Sequence, residues 1–253
     1  MSWFPSVMKK KEEIKVVTWK DGTDEELADM LEAHYNGDIN IHDYWSVGDE
    51  RTVHLSAMSA TGVGESHVAQ DVTMVLMNEG GKTLADGVTE CAFIVGQKNF
   101  LANGTSSEGG YMNSIGINVG GWKDSARRTW CNEIYYNAID SGFKSLLKQF
   151  INQSGKGGGS TSGIENTTDW TALAAEVEIF GNNPNSVSGE GSQFKYYETS
   201  ANRIKQLNGS YAVWWERSAK SDDSAAFCSV SSSGTNNHGT ASYTYAIVPF
   251  GCI

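Results

Sequence analysis

Proline is scarce, three residues in a chain of 253, which excludes a proline-rich linker or polyproline spacer. Cysteine is also sparse. Cys91, Cys131, Cys228 and Cys252 have neither the close spacing of a zinc knuckle nor the density of a disulfide scaffold. Each stands in an apolar or aromatic setting, where an unpaired cysteine behaves as a small buried hydrophobe. A Cys228–Cys252 bridge between neighbouring C-terminal strands stays open. No apolar run approaches the roughly 18 residues that would span a bilayer. Positive charge is the minority, with 19 Lys and Arg against 30 Asp and Glu, for a net charge of −11. The one basic cluster, Lys9 to Lys11, is followed at once by two glutamates. Binding along a nucleic acid backbone or an anionic membrane needs a positive field, so neither partner is expected. The N-terminal MSWFPSVMKKKEE puts apolar residues before its lysines, the reverse of a secretory signal, so export by a signal peptide is not expected.

Recognisable catalytic patterns are missing too. There is no H-E-x-x-H, no G-x-S-x-G and no histidine pair at metal-ligand spacing. The GKGGGS stretch lacks the G-x-x-x-x-G-K-[ST] order of a phosphate loop. No cofactor, metal or catalytic residue is therefore assigned. Single histidines such as His54 and His67 read as strand-surface residues. Carboxylates are plentiful near aromatics: Asp169, Glu176, Glu178, Glu190 and Glu216. A glycosidase needs two carboxylates facing across a cleft about 5 to 9.5 Å apart, which keeps a carbohydrate-active enzyme as an alternative. Glu176 and Glu216 lie in otherwise apolar runs, and burial there would demand a partner. Arg127, Arg128 or Arg217 could supply it.

What the chain does have is 28 glycines and short apolar runs. Ile14 to Trp19 reads as a short strand, followed by a helix that Thr23 and Glu26 start as a capping box and Gly37 ends. Residues 1–40 are thus expected to form a strand–helix element ahead of a main domain spanning 41–253. Arg51 to Leu55, His67 to Met77 and Val88 to Val95 read as an antiparallel meander. Two helices are expected at Lys123 to Asn137, capped by Asp124 or Ser125, and at Phe143 to Phe150. Asn152 to Thr168 reads as a Gly/Ser loop, and a single helical turn at Glu176 to Phe180 stops at Gly181. The last third alternates three apolar runs, Tyr211 to Trp215, Ala225 to Val230 and Tyr243 to Val248, with polar stretches including Ser231 to Ser242. Trp214 and Trp215 would face opposite ways, one in the core and the other exposed or covered by a loop. Tyr243 and Tyr245 would share a face, which is a binding surface if solvated and core if buried.

The C-terminal line VWWERSAKSDDSAAFCSVSSSG…AIVPFGCI resembles an uncharacterised domain family common in Firmicutes and their phages and prophages. Its members run W-W-x-R-S-P, then F-x-x-V-x-x-x-G, then a hydrophobic strand ending in F-C and one apolar residue. YWSVGDERTVHLSAM (44–58), GGWKDSARRTWCN (120–132), AEVEIFG (175–181) and GEGSQFKYY (189–197) fit the same family. The resemblance covers the chain from about residue 15 onward. It implies an α+β, C-type-lectin-like fold, with a twisted, mostly antiparallel sheet, two main flanking helices and long loops. That fold also underlies variable receptor-binding proteins diversified by retroelements, whose binding residues lie near the C-terminus. Carried over, this implies ligand-binding positions at Ser224, Ala225, Ala226, Phe227, Ser229, Ser231, Asn236, Asn237, His238, Ser242, Tyr243, Thr244 and Tyr245. Trp122, Trp130, Glu176, Trp214, Trp215, Glu216, Arg217, Cys228 and Cys252 are implied to be structural. The same fold houses formylglycine-generating enzymes, but their paired active-site cysteines and calcium sites have no counterpart here. Two departures stand out: Ala219 replaces the family's proline, and the binding positions are small where relatives carry tyrosines. The function implied is a non-enzymatic phage or prophage module, tail-associated in the virion or cytoplasmic when expressed from a prophage, recognising a host-surface protein or glycan. A virion structural subunit contacting another subunit is the alternative, and a homo-oligomer stays open.

Overall fold

A computed structural model describes residues 14–102, 110–161, 163–207 and 209–253. The signal-peptide reading and the Lys9–Lys11 cluster lie outside these residues. The fold is α+β, with several antiparallel sheets and multiple helices. One sheet has five strands in the order β1-β2-β3-β12-β6. These are β1 (Glu50–Leu55), β2 (Gln70–Glu79), β3 (Phe93–Gln97), β12 (Phe250–Cys252) and β6 (Thr171–Ala172), antiparallel throughout. The expected meander supplies three of them. The C-terminal segment then enters between β3 and β6, pairing Gly251 with both Val95 and Thr171. Burial on both faces explains why Met74 to Met77 and Phe93 to Gln97 are continuously buried rather than alternating.

Thr23 caps helix α1 (Asp24–Tyr35) with the expected box: its hydroxyl accepts from Glu26 N at 3.2 Å and Glu26 Oε2 accepts from Thr23 N at 2.9 Å. Leu27, Met30 and Leu31 face inward, and α1 packs on α4 (Ser141–Leu146). Residues 14–18 are not a strand. Side chains hold this segment instead, with Trp45 Nε1 donating to Val17 O at 2.9 Å and Val17 N directed at Met30 Sδ. Trp19 and α1 belong to the same hydrophobic core as both sheets.

The stretch expected as one helix at 123–137 is α2 (Ala126–Trp130), a π turn (Cys131–Tyr135) and α3 (Tyr136–Ala138), capped by Ser125 rather than Asp124. The second expected helix stops at Leu146, and Phe150 opens a strand. Lys148 N bonds Cys252 O and Ile151 N bonds Thr83 O, so tertiary pairing overrides the helical spacing of Leu146, Leu147 and Phe150. The expected loop 152–168 is largely the hairpin of β4 (Phe150–Gly155) and β5 (Ile164–Asp169). GKGGGS is its turn, between two strands rather than before a helix. The expected single turn at Glu176 to Phe180 is α5 (Glu176–Phe180), ended by Gly181, and α6 (Lys195–Glu198) is a further short helix.

A second sheet, in the order β11-β10-β9, comprises β9 (Trp214–Ala219), β10 (Ala226–Val230) and β11 (Asn236–Thr240). The small hairpin of β7 (Gln206–Leu207) and β8 (Ser210–Tyr211) precedes it. The third expected apolar strand, Tyr243 to Val248, is irregular apart from one bridge between Ala246 and Trp214. The strand lies in the polar stretch before it, as β11. An edge strand with one solvated face tolerates Asn, His and Gly, whereas Ala246, Ile247 and Val248 are buried links between the sheets. All four cysteines are free. Cys252 neighbours Cys91, while Cys228 lies in the other sheet, so the Cys228–Cys252 bridge is excluded.

Candidate binding face

Strand β9 is buried at all six positions, including Glu216, Arg217 and Ser218. Arg217 reaches Glu178 with both terminal nitrogens, Leu173 O at 3.1 Å, Ser154 Oγ at 3.0 Å and Glu190 O at 2.6 Å. Lys82 reaches the same Glu178 and Asn152 Oδ1. Burial alone would raise the Glu178 carboxyl, but Arg217 and Lys82 together hold it below the usual carboxylate range. Glu190 accepts from Gly155 N at 2.8 Å and from the Ser218 hydroxyl. Glu176 accepts from Asn185 N, Asn185 Nδ2 and Ser186 N at 2.7 to 3.0 Å. The partner foreseen among the arginines therefore goes to Glu178, and backbone and amide donors satisfy Glu176. Asp169 accepts from Trp122 Nε1 at 2.9 Å and Arg128 Nε at 2.7 Å. Glu176, Glu178, Glu190, Glu216 and Asp169 are all fully buried. Glu176, Glu178, Glu190 and Asp169 fasten strands and helices together, and Glu216 is enclosed with neither oxygen hydrogen-bonded to a described residue. Among the described residues no group of three or more His, Cys, Asp or Glu could hold a metal ion.

Trp214 and Trp215 are both fully buried, so neither is exposed; of the two expected alternatives the second holds, with the irregular segments of Gly110 and Tyr245 covering Trp215. Trp214 Nε1 donates to Arg203 O at 3.0 Å and Trp215 Nε1 to Gly110 O at 2.9 Å, so their indoles have separate surroundings. Gly110 has φ of 100°, and an added Cβ would lie 2.0 Å from Val63 O. Only glycine fits where Trp215 and Tyr245 N both bond its carbonyl. Trp122, Trp130, Cys228 and Cys252 are likewise buried.

The implied ligand-binding positions divide into two groups. Phe227 and Ser229 are fully buried within β10, and Ala226 is buried beside them, so these three cannot touch a ligand. Their strand lies between β9 and β11 with both faces covered. Ser224, Asn236, His238 and Tyr243 are exposed, while Ala225, Ser231, Asn237, Ser242, Thr244 and Tyr245 are half-buried. Ser231 is spent on its own turn, its hydroxyl meeting Thr235 Oγ1 at 2.7 Å and accepting Thr235 N at 3.1 Å. Tyr245 packs on Trp215 at 4.4 Å between ring centroids and lies over Gly239, where a Cβ would come within 2.6 Å of the ring. Tyr243 meets the edge of Tyr245 at 6.2 Å and remains 54% exposed. The two tyrosines are thus neighbours with different duties, one largely structural and one solvated. His67, read as a surface histidine, is 2% exposed, and burial pulls its pKa down to about 4.

Sequence reasoning missed the loop that borders this face. Asn118 is buried, and its Nδ2 contacts Asp223 O at 2.8 Å and Ala226 O at 2.5 Å, while its Oδ1 accepts Gly158 N at 2.7 Å. Asn118 N bonds Ser224 O at 2.8 Å, and Met112 N and Asn113 N bond Ala241 O at 2.9 and 3.1 Å. A Cβ added at Gly116 would lie 2.8 Å from the Thr240 methyl and 3.7 Å from Ser242 Oγ, so the loop backbone runs close beside these residues. An asparagine in a glycine-rich loop reads only as a turn residue, so no local signal marked it. A separate open groove of about 870 Å³, lined by residues including Asp21, Tyr44, Asp49 and Arg51, borders the N-terminal segment. Arg51 there is engaged by Gly22 O and Asp24.

Among the described residues no helix is long and apolar enough to cross a membrane. No curated protein and no solved structure matches the chain. A family model does match residues 94–253, well over half of the sequence, and the chain belongs to that family, a domain of unknown function (DUF6273).

Proposed function

We propose that this chain is a non-enzymatic recognition module of a phage or prophage particle, with a C-type-lectin-like arrangement of its C-terminal region. In this reading it binds a host-surface protein or glycan through Ser224, Asn236, Asn237, His238, Ser242 and Tyr243. The observation that carries the reading is the contrast between support and surface. The carboxylates and tryptophans around β9 are buried and serve packing and hydrogen bonding, while beside them a hydrogen-bonded edge strand and loop present Tyr243, His238, Asn236 and Ser224 to solvent. Adaptable polar groups and a tyrosine on a rigid frame suit recognition. Glu176 and Glu216 lie inside the protein, away from solvent, which favours binding over glycoside hydrolysis.

Labelled protein applied to a panel of intact Firmicutes cells and to a glycan array tests the proposal. Binding to cells or glycans that falls about tenfold in Tyr243→Ala and His238→Ala, with unchanged thermal stability, is the expected result, since an exposed aromatic anchor contributes about 1 to 2 kcal/mol at such a site. Tyr245→Ala is a poorer probe because it also removes packing from Trp215. Equal binding by both variants would refute the site, and absence of binding to every surface would refute the recognition role.

A further inference from the structure

Cys91 and Cys252 come from distant parts of the chain and meet at the end of the five-stranded sheet. Cys252 lies opposite Ile94 in the ladder of β3 and β12. Just ahead, the successive N–H groups of Ala92 and Phe93 share Ile253 O, at 2.8 and 3.2 Å. Two residues against one is the arrangement of a β-bulge, and it shifts the alternation of side chains by one. Cys91 therefore falls on the face of Cys252, and the two thiols hydrogen-bond each other. Both residues are fixed by their backbones: Cys91 N bonds Lys82 O at 2.9 Å, and Lys148 N bonds Cys252 O at 2.8 Å. Both are buried and free.

The thiols are unlike. The hydrogen bond from Cys252 leads in holding the Cys91 thiol below its ordinary pKa, against burial and the charge of Glu90, whereas burial pushes Cys252 well up. Cys91 is thus the nucleophile of the pair and Cys252 its proton-bearing partner. A surface groove of about 510 Å³, lined by residues including Leu31, Leu84, Asp86 and Lys148, has Tyr35 in its wall. The Tyr35 hydroxyl bonds the residue that follows each cysteine, accepting from Ala92 N at 2.9 Å and donating to Ile253 O at 3.0 Å. The groove therefore reaches the backbone that flanks both thiols.

From this juxtaposition we propose that Cys91 and Cys252 are a redox-modification site, closed to a disulfide by exchange with a small disulfide such as oxidised glutathione, which fastens β12 to the segment ahead of β3. The Cys91 thiolate attacks one sulfur of the small disulfide, whose S–S bond breaks as a mixed disulfide forms and one thiolate leaves. The Cys252 sulfur gives up its proton, attacks the Cys91 sulfur and expels the second thiolate. Two protein thiols are oxidised, one small disulfide is reduced, and the two protons pass to the released thiolates. A reducing cytoplasm keeps the pair open, and an oxidising exterior closes it. The loop so closed takes in most of the chain, the case in which a cross-link restricts the unfolded state most.

Folded, reduced protein equilibrated with glutathione buffers from reducing to oxidising, then alkylated in denaturant and digested, tests this. A peptide pair linked through Cys91 and Cys252, with Cys131 and Cys228 alkylated, supports the site. So does a melting temperature about 5 °C or more above that of the reduced protein. Cys91→Ser is expected to lose both the link and the rise, and Cys228→Ser to keep both. The linkage map is read on the parent chain, so a variant that fails to fold leaves the test intact. Four alkylated thiols at the most oxidising buffer would overturn the proposal. Glutathione retained on Cys91 beside an alkylated Cys252 would do the same, as would a bridge through Cys131 or Cys228. A link that forms only after unfolding in urea, or a linked protein that melts no higher than the reduced one, would also overturn it.

Discussion

Glu216 lies fully buried on β9 with neither carboxylate oxygen hydrogen-bonded to the protein. Burial first, and then the neighbouring Glu176 and Glu190, push its pKa well above 4.5. It is therefore protonated in the folded chain at pH values where the unfolded chain carries it ionised. The folded state binds the extra proton, so this residue's contribution is fully present below about pH 4.5 and is lost as pH rises through its raised folded value, at about 1.4 kcal/mol per pH unit. Glu216→Gln keeps the shape and cannot ionise. Its stability relative to the parent, from urea melts at pH 5 and pH 7, is expected to improve at the higher pH. An unchanged difference would mean that Glu216 is ionised in the fold. Between about pH 7 and 10.5 buried Lys205 works the other way, because burial lowers its pKa to about 7 and the unfolded chain binds the extra proton. Buried His67, held at about 4, also titrates differently in the folded and unfolded chain between acid and neutral pH, so it is the difference between Glu216→Gln and the parent, not the pH window, that isolates Glu216.

At the scale of elements, the loop 113–121 and the sheet β9–β10–β11 act as one piece because Asn118 joins them. Asn118→Ala removes the side-chain bonds to Asp223 O, Ala226 O and Gly158 N; Ala226 O keeps its bond from Lys220 N, while the other two groups lose the bonds that tie the loop to the sheet and hairpin. A cost of about 2 kcal/mol or more is expected. Hydrogen exchange should quicken at Ser224 to Ala226 and Gly157 to Gly159 before it does in β2 or β3. Uniform acceleration across the chain would show that the loop has no separate stability. The short elements were also the least legible ones. The capping box of α1 and the Gly181 stop of α5 are local signals written within a few residues. The shift of the third strand from Tyr243–Val248 to Asn236–Thr240 was not, because solvation of one face of β11 decides it.

For the whole molecule, β12 is the keystone. Phe250, Cys252 and Ile253 are buried, Ile253 O receives both Ala92 N and the Tyr35 hydroxyl, and β12 lies between β3 and β6. Removing residues 250–253 deletes a central strand and is expected to cost about 5 kcal/mol, comparable to the net stability of many domains. Near-UV circular dichroism should lose its tertiary signal, and the cooperative thermal transition should disappear. A shortened chain that melts as the parent does would contradict this placement.

Sequence alone determined the antiparallel meander, the α1 cap and the acidic balance, since each follows from periodicity, capping chemistry or charge count, and the family resemblance implied the α+β class. It also pointed to the C-terminal third as the region holding Trp214, Arg217 and Tyr243. Tertiary structure decided the rest. Phe227 and Ser229 look like any other apolar and polar residues of a strand until β9 and β11 cover them. Tyr243 and Tyr245 have the same chemistry and part only because Trp215 and Gly239 take one ring. Burial and adjacency are properties of distant segments brought together, which no local pattern encodes.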